Sequence, residues 1–257
     1  RRQRQMCIRD RRYIMVPIYI NDKEYFIYPK TDYLDAGASG KCYKVCDDDR
    51  ILTVKLYLSE SALSGEEVFF PDEETLEKLI QLSPYTSPIL LSNYLVRDGK
   101  GNYIGCARDY IEASSPNATE AVFQLPKEKA LEHFQKIEEK IPIFDENGIL
   151  LDDWNSYNIM LGRVANGDEK LYVFDDSSYS LSSHYGQSNH REFTHLIEDM
   201  IEEYLIIYGL ERVRPYVVDK LRASYTPVHF FEDISNHSNT LGEGVLQYAK
   251  KMKDRYY

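Results

Sequence analysis

The most informative stretch of this 257-residue sequence is Asp145-Glu146-Asn147-Gly148-Ile149-Leu150-Leu151-Asp152-Asp153-Trp154-Asn155-Ser156-Tyr157-Asn158-Ile159-Met160-Leu161. Four residues separate Asp153 from Asn158, and a short apolar run follows at once. The turn signal Asn147-Gly148 precedes them, so we expect a helix end, a loop and then a short strand. A turn that uses Asp and Asn to cap backbone groups would contain the same residues, and the neighbouring segments therefore decide the interpretation.

Downstream of this stretch, the segment Leu171-Tyr172-Val173-Phe174-Asp175-Asp176-Ser177 alternates as a strand does and ends in acidic residues. Upstream, Leu34-Asp35-Ala36-Gly37-Ala38-Ser39-Gly40-Lys41-Cys42 places two glycines and other small residues between two predicted strands. Ten residues after Val45, Lys55 lies inside the apolar strand segment Val54-Lys55-Leu56. A buried ammonium needs an anionic partner, so Lys55 is a candidate for a binding site.

The predicted elements divide the chain into a β-rich first half and a helical second half. Runs rich in Ile, Val and Tyr between polar turns predict an antiparallel sheet, and apolar residues at three- and four-residue spacing predict helices. The predicted strands are Tyr13–Ile20, Tyr25–Tyr28, Lys41–Cys46, Ile51–Tyr57, Ile89–Arg97 and Tyr103–Ile111, with short strands near Asn158–Leu161 and Leu171–Phe174. The predicted helices are Pro71–Leu82, Lys127–Lys140, Arg191–Tyr208, Glu211–Ala223 and Leu241–Lys251. We therefore predict an α+β fold with two lobes, 12–112 and 113–257.

In this order the segments resemble those of the protein kinases, in particular the compact bacterial effector kinases. The resemblance implies a bilobal fold, in which a small antiparallel sheet with one helix binds ATP and a helical lobe carries the catalytic loop. It implies that the backbone of the glycine turn lies near the phosphates and that Lys55 contacts them. The implied nucleotide-binding residues are Gly37, Ala38, Ser39, Gly40, Lys55, Glu73, Asp109 and Ile111.

The partner of Lys55 is expected on the helix that follows its strand. Glu73 is the first candidate, because Leu76 and Ile80 lie three and seven residues further on and share its helix face. Three other acidic residues compete for the role, and any of them could equally belong to a solvated helix face: Asp72, Glu74 and Glu77.

The resemblance also assigns roles in catalysis. Asp153 corresponds to the residue that orients or deprotonates the acceptor hydroxyl, and Asn158 and Asp175 correspond to ligands of Mg²⁺. By strand register Asp175 fits better than Asp176. Asn155 stands where protein kinases commonly carry a lysine that stabilises the transferring phosphoryl group. The implied catalytic residues are thus Asp153, Lys55 and Asn155.

The acceptor side departs from the family pattern. Leu151 and Asp152 replace the usual His and Arg, so the cation that reads a phosphorylated activation loop is absent. Only about fifteen residues separate Asp175 from the predicted helix at Arg191. We expect a Ser/Thr-type protein kinase with an atypical catalytic loop. The alternatives are an impaired pseudokinase that binds nucleotide or protein, and a small-molecule kinase of the aminoglycoside or choline type, for which a helical insertion is missing.

Residues 1–11 resemble a translated sequencing adapter, and we expect this tail to be foreign to the natural domain; a basic arm for nucleic acid or membrane is the alternative. The formal net charge is −11, from 31 Lys and Arg and 42 Asp and Glu. Without the five Arg and one Asp of the tail these counts become 26 and 41, and the charge −15. So negative a surface repels phosphate backbones and anionic lipids, which argues against nucleic acid or membrane as partners.

Three cysteines remain outside the tail, Cys42, Cys46 and Cys106, without a CxxC pair. Reduced thiols and the lack of an apolar stretch of membrane-spanning length indicate a cytoplasmic protein, with a secreted effector as the alternative. The expected ligands are ATP, Mg²⁺ and a hydroxyl acceptor on a protein or small molecule.

Overall fold

A computed structural model gives the fold and describes residues 15–36, 40–47, 50–57, 72–165, 167–174, 179–181 and 189–257. The first part of the chain forms an antiparallel sheet from strands β1 (Val16–Ile20), β2 (Lys23–Ile27), β3 (Tyr33–Ala36), β4 (Gly40–Asp47), β5 (Arg50–Tyr57), β6 (Tyr94–Arg97) and β7 (Tyr103–Asp109). Their order across the sheet is β2-β1-β6-β7-β5-β4-β3.

The β1–β2 hairpin turns at Asn21 and Asp22, whose φ angles are 50° and 62°. Two residues with positive φ make the type of tight turn that matches the twist of antiparallel strands, and Asn and Asp adopt this conformation more readily than other side chains. The residues between the first two predicted strands thus form a tight hairpin turn. The hairpin extends the sheet beyond β6, because Tyr19 pairs with Arg97.

One helix, α1 (Glu73–Thr86), is inserted between β5 and β6. Asp72 caps it by accepting a hydrogen bond from the Thr75 amide at 2.6 Å. The predicted helix ended at Leu82, but the observed helix continues through Pro84. Leu76 and Leu79 are fully buried, so the predicted apolar stripe does face the core.

The second part of the chain is mainly helical, with three strand pairings between its short strands. Its helices are α2 (Ala118–Gln124), α3 (Lys127–Glu138), α4 (Ile141–Glu146), α5 (Asn189–Ile207), α6 (Arg214–Arg222), α7 (Pro227–Ile234) and α8 (Leu241–Tyr256). Its strands are β8 (Ile111–Ala113), β9 (Ile149–Leu150), β10 (Ile159–Val164), β11 (Lys170–Val173) and β12 (Ser180–Leu181). They form a small sheet of order β11-β10-β8 and a separate pair of β12 with β9.

Two apolar cores correspond to the two faces of the large sheet. The outer face buries a cluster that includes Ile18, Leu52, Val54 and Ala107. The inner face joins α1 to the helical part in one larger cluster, to which Cys106 belongs. The predicted α+β class, a sheet with one helix followed by helices, is confirmed, whereas the boundary at residue 112 stays a prediction.

The differences from the expected elements have physical reasons. The predicted strand from Ile89 to Arg97 begins only at Tyr94. Before it, the Leu90 amide donates to the Val173 carbonyl and the Val173 amide to the Pro88 carbonyl, while Ile89 and Leu91 are buried in the larger core. The unexpected strand β3 consists of exposed residues without alternation. Three unexpected helices, α2, α4 and α7, have eight residues or fewer, which is shorter than the stretch over which helical periodicity is recognised.

Candidate active site

Lys55 lies in the middle of β5 with only 6% of its surface exposed. It pairs with Cys42 on β4 and with Cys106 on β7. Residues directly opposite each other in a sheet point to the same face, and Cys106 belongs to the core shared with α1. Lys55 therefore faces the inside of the molecule, toward the helical part, as a lysine in a binding cleft must.

The glycine turn joins β3 to β4. Gly40 is the first residue of β4, and a Cβ atom at this position would lie 2.6 Å from the carbonyl oxygen of Leu56. A glycine is required here because the two backbones approach so closely. Gly37, Ala38 and Ser39 lie outside the described residues, so their contact with phosphates stays a prediction.

Glu73 does not lie free at the start of α1. Its carboxylate forms an ion pair with the guanidinium of Arg97 at the end of β6. The carboxylate expected to pair with Lys55 thus has a different partner in this structure, and the nucleotide-site role of Glu73 stays a prediction.

The connection from β7 to β8 carries Asp109 and Ile111. Asp109 ends β7, and Ile111 begins β8, where it is 7% exposed and pairs with Val164. Between them, the Tyr110 amide donates to the Ile51 carbonyl at 3.0 Å. This short link connects the large sheet to the small sheet that carries Asn158, so Asp109 and Ile111 lie at the junction of the two parts.

The loop that contains Asp153 is anchored by Asn189, the first residue of α5. Asn189 is 1% exposed, and its Oδ1 accepts from the Leu151 amide at 2.8 Å. Its Nδ2 donates to the Ile149 carbonyl and to Asp145 Oδ1, both at 2.8 Å. One buried amide thus satisfies backbone groups at the start of the loop and fixes the loop to the central helix.

Trp154 provides a second anchor. It is 3% exposed and its Nε1 donates to the Tyr179 hydroxyl at 2.7 Å, while its ring meets Phe193 of α5 edge to face, with centroids 6.3 Å apart. Because Trp154 points into the core, its neighbours Asp153 and Asn155 lie on the other side of the loop. Asp153 is exposed and has a φ of 59°, a backbone conformation that residues other than glycine rarely adopt.

Two amides hold Asp153 in this position. Asn155 Nδ2 donates to Asp153 Oδ1 at 2.9 Å, and Asn158 Nδ2 donates to the Asp153 carbonyl at 2.9 Å. In addition, Asn155 Oδ1 accepts from the Tyr157 amide at 3.0 Å, which starts the turn Ser156–Asn158. The carboxylate of Asp153 is therefore preorganised, and within the described residues no hydrogen bond occupies Oδ1 of Asn158.

The segment before Asp175 joins this network. The Phe174 amide donates to the Asn158 carbonyl at 2.9 Å. The ring of Phe174 lies under the guanidinium of Arg108 on β7, with Cζ 4.9 Å from the ring centroid. Asp175 itself lies outside the described residues, so its metal-binding role stays a prediction. The structure thus combines three features: a buried lysine on β5, a single helix after that strand, and a loop with Asp153 and Asn158 before the β10–β11 hairpin.

Among solved structures, the kinase domain of PknI from Mycobacterium tuberculosis is similar to this chain, with a TM-score of 0.48, 16% identity, and coverage of 89% of this chain and 96% of that chain. This likeness concerns the fold and says nothing about activity. No protein-family profile and no curated protein matches the sequence.

Acidic side chains surround the loop that contains Asp153. Burial raises the pKa of the Glu192 carboxyl on α5; the imidazole of His195 opposes this shift, and the charges of Asp152 and Asp153 add to it. His195 Nδ1 lies 3.8 Å from Glu192 Oε2. Three carboxyl groups thus border the exposed side of the loop.

Asn158 and Asp175 are the residues that could hold a divalent cation together. Asn158 fits this role, since its Nδ2 is engaged by a carbonyl and its amide oxygen is the hard ligand that Mg²⁺ prefers. The described residues contain no group of three His, Cys, Asp or Glu side chains that could bind a metal. In the same part of the chain, no helix has both the length and the apolar character needed to cross a bilayer.

Two residues of the site were missed from the sequence. Asn189 precedes the predicted helix start at Arg191, although an asparagine before an apolar helix is a recognised start signal. Arg108 lies inside the predicted strand Tyr103–Ile111, where a cation in an apolar strand is the same signal that singled out Lys55.

Proposed function

We propose that this chain is a phosphotransferase that uses ATP and Mg²⁺ to phosphorylate a hydroxyl group, with a Ser or Thr side chain of a protein as the expected acceptor. In this proposal the Asp153 carboxylate takes the proton of the acceptor hydroxyl. The hydroxyl oxygen forms a new bond to the γ-phosphorus, and the bond from that phosphorus to the ADP oxygen breaks.

Asn155 and Lys55 assist this transfer in different ways. The amide of Asn155 holds the Asp153 carboxylate, which makes Asn155 a positioning residue rather than a substitute for the missing lysine cation. Lys55 binds the α- and β-phosphates. Asn158 and Asp175 would hold Mg²⁺, which would neutralise the charge that develops on the transferred phosphate.

One observation carries the proposal: a continuous series of contacts joins the strand of Lys55 to the loop of Asp153. Arg108, opposite Thr53 on β5, stacks on Phe174, and the Phe174 amide bonds to Asn158. The side chain of Asn158 in turn bonds to Asp153. This series of contacts supports placing the lysine strand and the acidic loop at one site, as transfer between a bound nucleotide and an acceptor requires.

The acceptor is less closely defined than the nucleotide. Asp152 stands where a cation would read a phosphorylated loop, so we propose activity without such activation. The acidic border of Asp152, Asp153 and Glu192 would disfavour acceptors with acidic neighbours. We keep the cytoplasm as the proposed location, with secretion as an effector as the alternative.

The test is transfer of label from γ-labelled ATP in the presence of Mg²⁺. The chain is incubated with a panel of basic and neutral acceptor proteins, with an aminoglycoside and with choline, next to the Lys55→Met, Asp153→Ala and Asp175→Ala variants. We expect transfer by the wild-type chain and a loss of about 10² to 10⁴-fold in Asp153→Ala. Asp168→Ala, which removes an exposed carboxylate from the turn between β10 and β11, is the matched control and should keep full activity.

Binding and transfer must be measured separately. Nucleotide binding without transfer to any acceptor would indicate a pseudokinase. If neither binding nor transfer is found in any version, the proposal is wrong.

A further inference from the structure

Arg108 is a cation on the inner face of the large sheet, in line with Lys55. In the β5–β7 register, Lys55 is opposite Cys106 and Thr53 is opposite Arg108. Residues two apart along a strand share a face, so Arg108 and Lys55 both point into the cleft. Arg108 directly precedes Asp109, the last residue of β7, after which the chain passes to the helical part.

The guanidinium of Arg108 is half-buried and stacked on the Phe174 ring, with Cζ 4.9 Å from the centroid. Within the described residues this ring is its only partner, because no carboxylate or carbonyl there accepts a hydrogen bond from it. The Phe174 ring covers one side of the guanidinium, and the N–H groups of the fork are available to a ligand. Donors in such a partly dry site favour a ligand that brings acceptors.

The backbone next to Arg108 is arranged to meet the edge of a planar ring. Because the Tyr110 amide donates to Ile51, Leu52 and Asp109 form a pair without hydrogen bonds between them. The N–H and C=O groups of Asp109 therefore point away from β5. Asp109 is one of the residues expected to bind the nucleotide, and we place the base against these groups, beside the Arg108 side chain.

We propose that Arg108 reads the base of the nucleotide and favours purines that carry an oxygen at position 6, so that GTP binds more tightly than ATP. This inference rests on the proposed function. Guanine offers two acceptors side by side, O6 and N7, which match the two donors of an arginine fork. Adenine offers N7 next to an amino group, which opposes one of the two donors. If Arg108 only attracted the phosphates, its charge would not distinguish one base from another.

The experiment is equilibrium binding, by calorimetry with Mg²⁺, of five probes: GTP, ATP, inosine triphosphate, 7-deaza-GTP and inorganic tripolyphosphate. We expect GTP and inosine triphosphate, which share O6 and N7, to bind about tenfold or more tightly than ATP. The 7-deaza analogue, which lacks one of the two acceptors, should lie between them. These comparisons use the wild-type chain and do not depend on the stability of any variant.

Variants then attribute the preference to Arg108. Arg108→Met should remove the difference between GTP and ATP, and Arg108→Lys should retain part of it because a single ammonium cannot form the fork. Arg163→Met, at an exposed arginine on β10, is the matched control and should leave the preference intact. Circular dichroism confirms that each variant is folded.

The outcomes separate this inference from the proposed function. Equal affinity for GTP and ATP, or an equal loss of affinity for every probe including tripolyphosphate in Arg108→Met, overturns the reading of the base while nucleotide binding stands. Binding of none of the five probes overturns both.

Discussion

Lys55 and Asp153 lie in two regions that are held in place by different kinds of contact. Lys55 belongs to a strand whose neighbours β4 and β7 pair with it residue by residue. Asp153 belongs to a loop without regular pairing, which depends on the side chains of Asn189, Trp154 and Asn158. The comparison shows that the lysine side depends on a sheet ladder, whereas the acidic side depends on single side-chain contacts, of which those of Asn189 and Tyr179 come from distant parts of the chain.

The largest effect is expected where one distant side chain supports the loop. Asn189→Ala would leave the Leu151 amide and the Ile149 carbonyl buried without a partner. We expect the free energy of unfolding to fall by about 2 to 4 kcal/mol. Urea denaturation measures this change. Asn236→Ala, at an exposed asparagine, is the control, and an equally small change in both variants would show that the loop does not need this anchor.

The second prediction applies to the sheet side. A Cβ atom at Gly105 would lie 2.1 Å from the Lys55 carbonyl oxygen. Gly105→Ala must therefore push β7 away from β5 at Lys55. We expect a loss of about 1 to 3 kcal/mol in stability together with weaker nucleotide binding. In the control Gly99→Ala, the nearest atom is 3.8 Å away, and both quantities should stay unchanged. Unaltered binding in Gly105→Ala would contradict a role of this register in the site.

A third prediction isolates one bond of the loop. Trp154→Phe keeps an aromatic ring in the core but removes the donor to the Tyr179 hydroxyl. We expect an interaction energy of about 1 kcal/mol between the two residues in a cycle of Trp154→Phe, Tyr179→Phe and the double variant. Unfolding in urea supplies all four values. Strict additivity would mean that this bond does not stabilise the loop.

The smallest effect concerns the pH dependence of stability. Burial raises the pKa of the Glu192 carboxyl, so the folded state keeps its proton to higher pH than the unfolded state. Glu192 therefore costs stability as pH rises from the ordinary glutamate value to the raised one. Between about pH 4 and about pH 7, Glu192→Gln should lose less stability than the wild type.

The control is Glu132, an exposed glutamate whose pKa is shifted in the opposite direction. A hydrogen bond from Lys136 lowers the pKa of Glu132, which therefore adds stability above the ordinary glutamate value and loses it as pH falls through the lowered one. Above the ordinary glutamate pKa this contribution is constant, so Glu132→Gln should follow the wild type there. It should lose less stability than the wild type only as pH falls below that value, in a denaturation series extended to lower pH. Parallel trends in the two variants would rule out this explanation.

Much of the sheet side could be predicted from the sequence. Strand alternation located β4, β5 and β7, and an isolated lysine in an apolar strand marked Lys55. These signals are local, because the pattern of burial along a strand is written in consecutive residues. Arg108 carried the same signal and was overlooked.

Less of the loop could be predicted. The spacing of Asp153 and Asn158 pointed to a catalytic loop, but Asn155 was expected to act on the phosphoryl group, and the structure shows its amide bonded to Asp153. The pairing of Glu73 with Arg97 joins residues 24 positions apart and left no trace in either local pattern.

By itself, the sequence determined the α+β class, the order of the elements and the candidate residues Lys55, Asp153 and Asn158, since each of these depends on neighbours within a few positions. Only the tertiary structure decided what holds them: Asn189 under the loop, Tyr179 on Trp154 and Phe174 beneath Arg108. The physical reason is that a hydrogen bond or a stacked pair between distant residues depends on how the chain packs, and many different sequences could supply the partner.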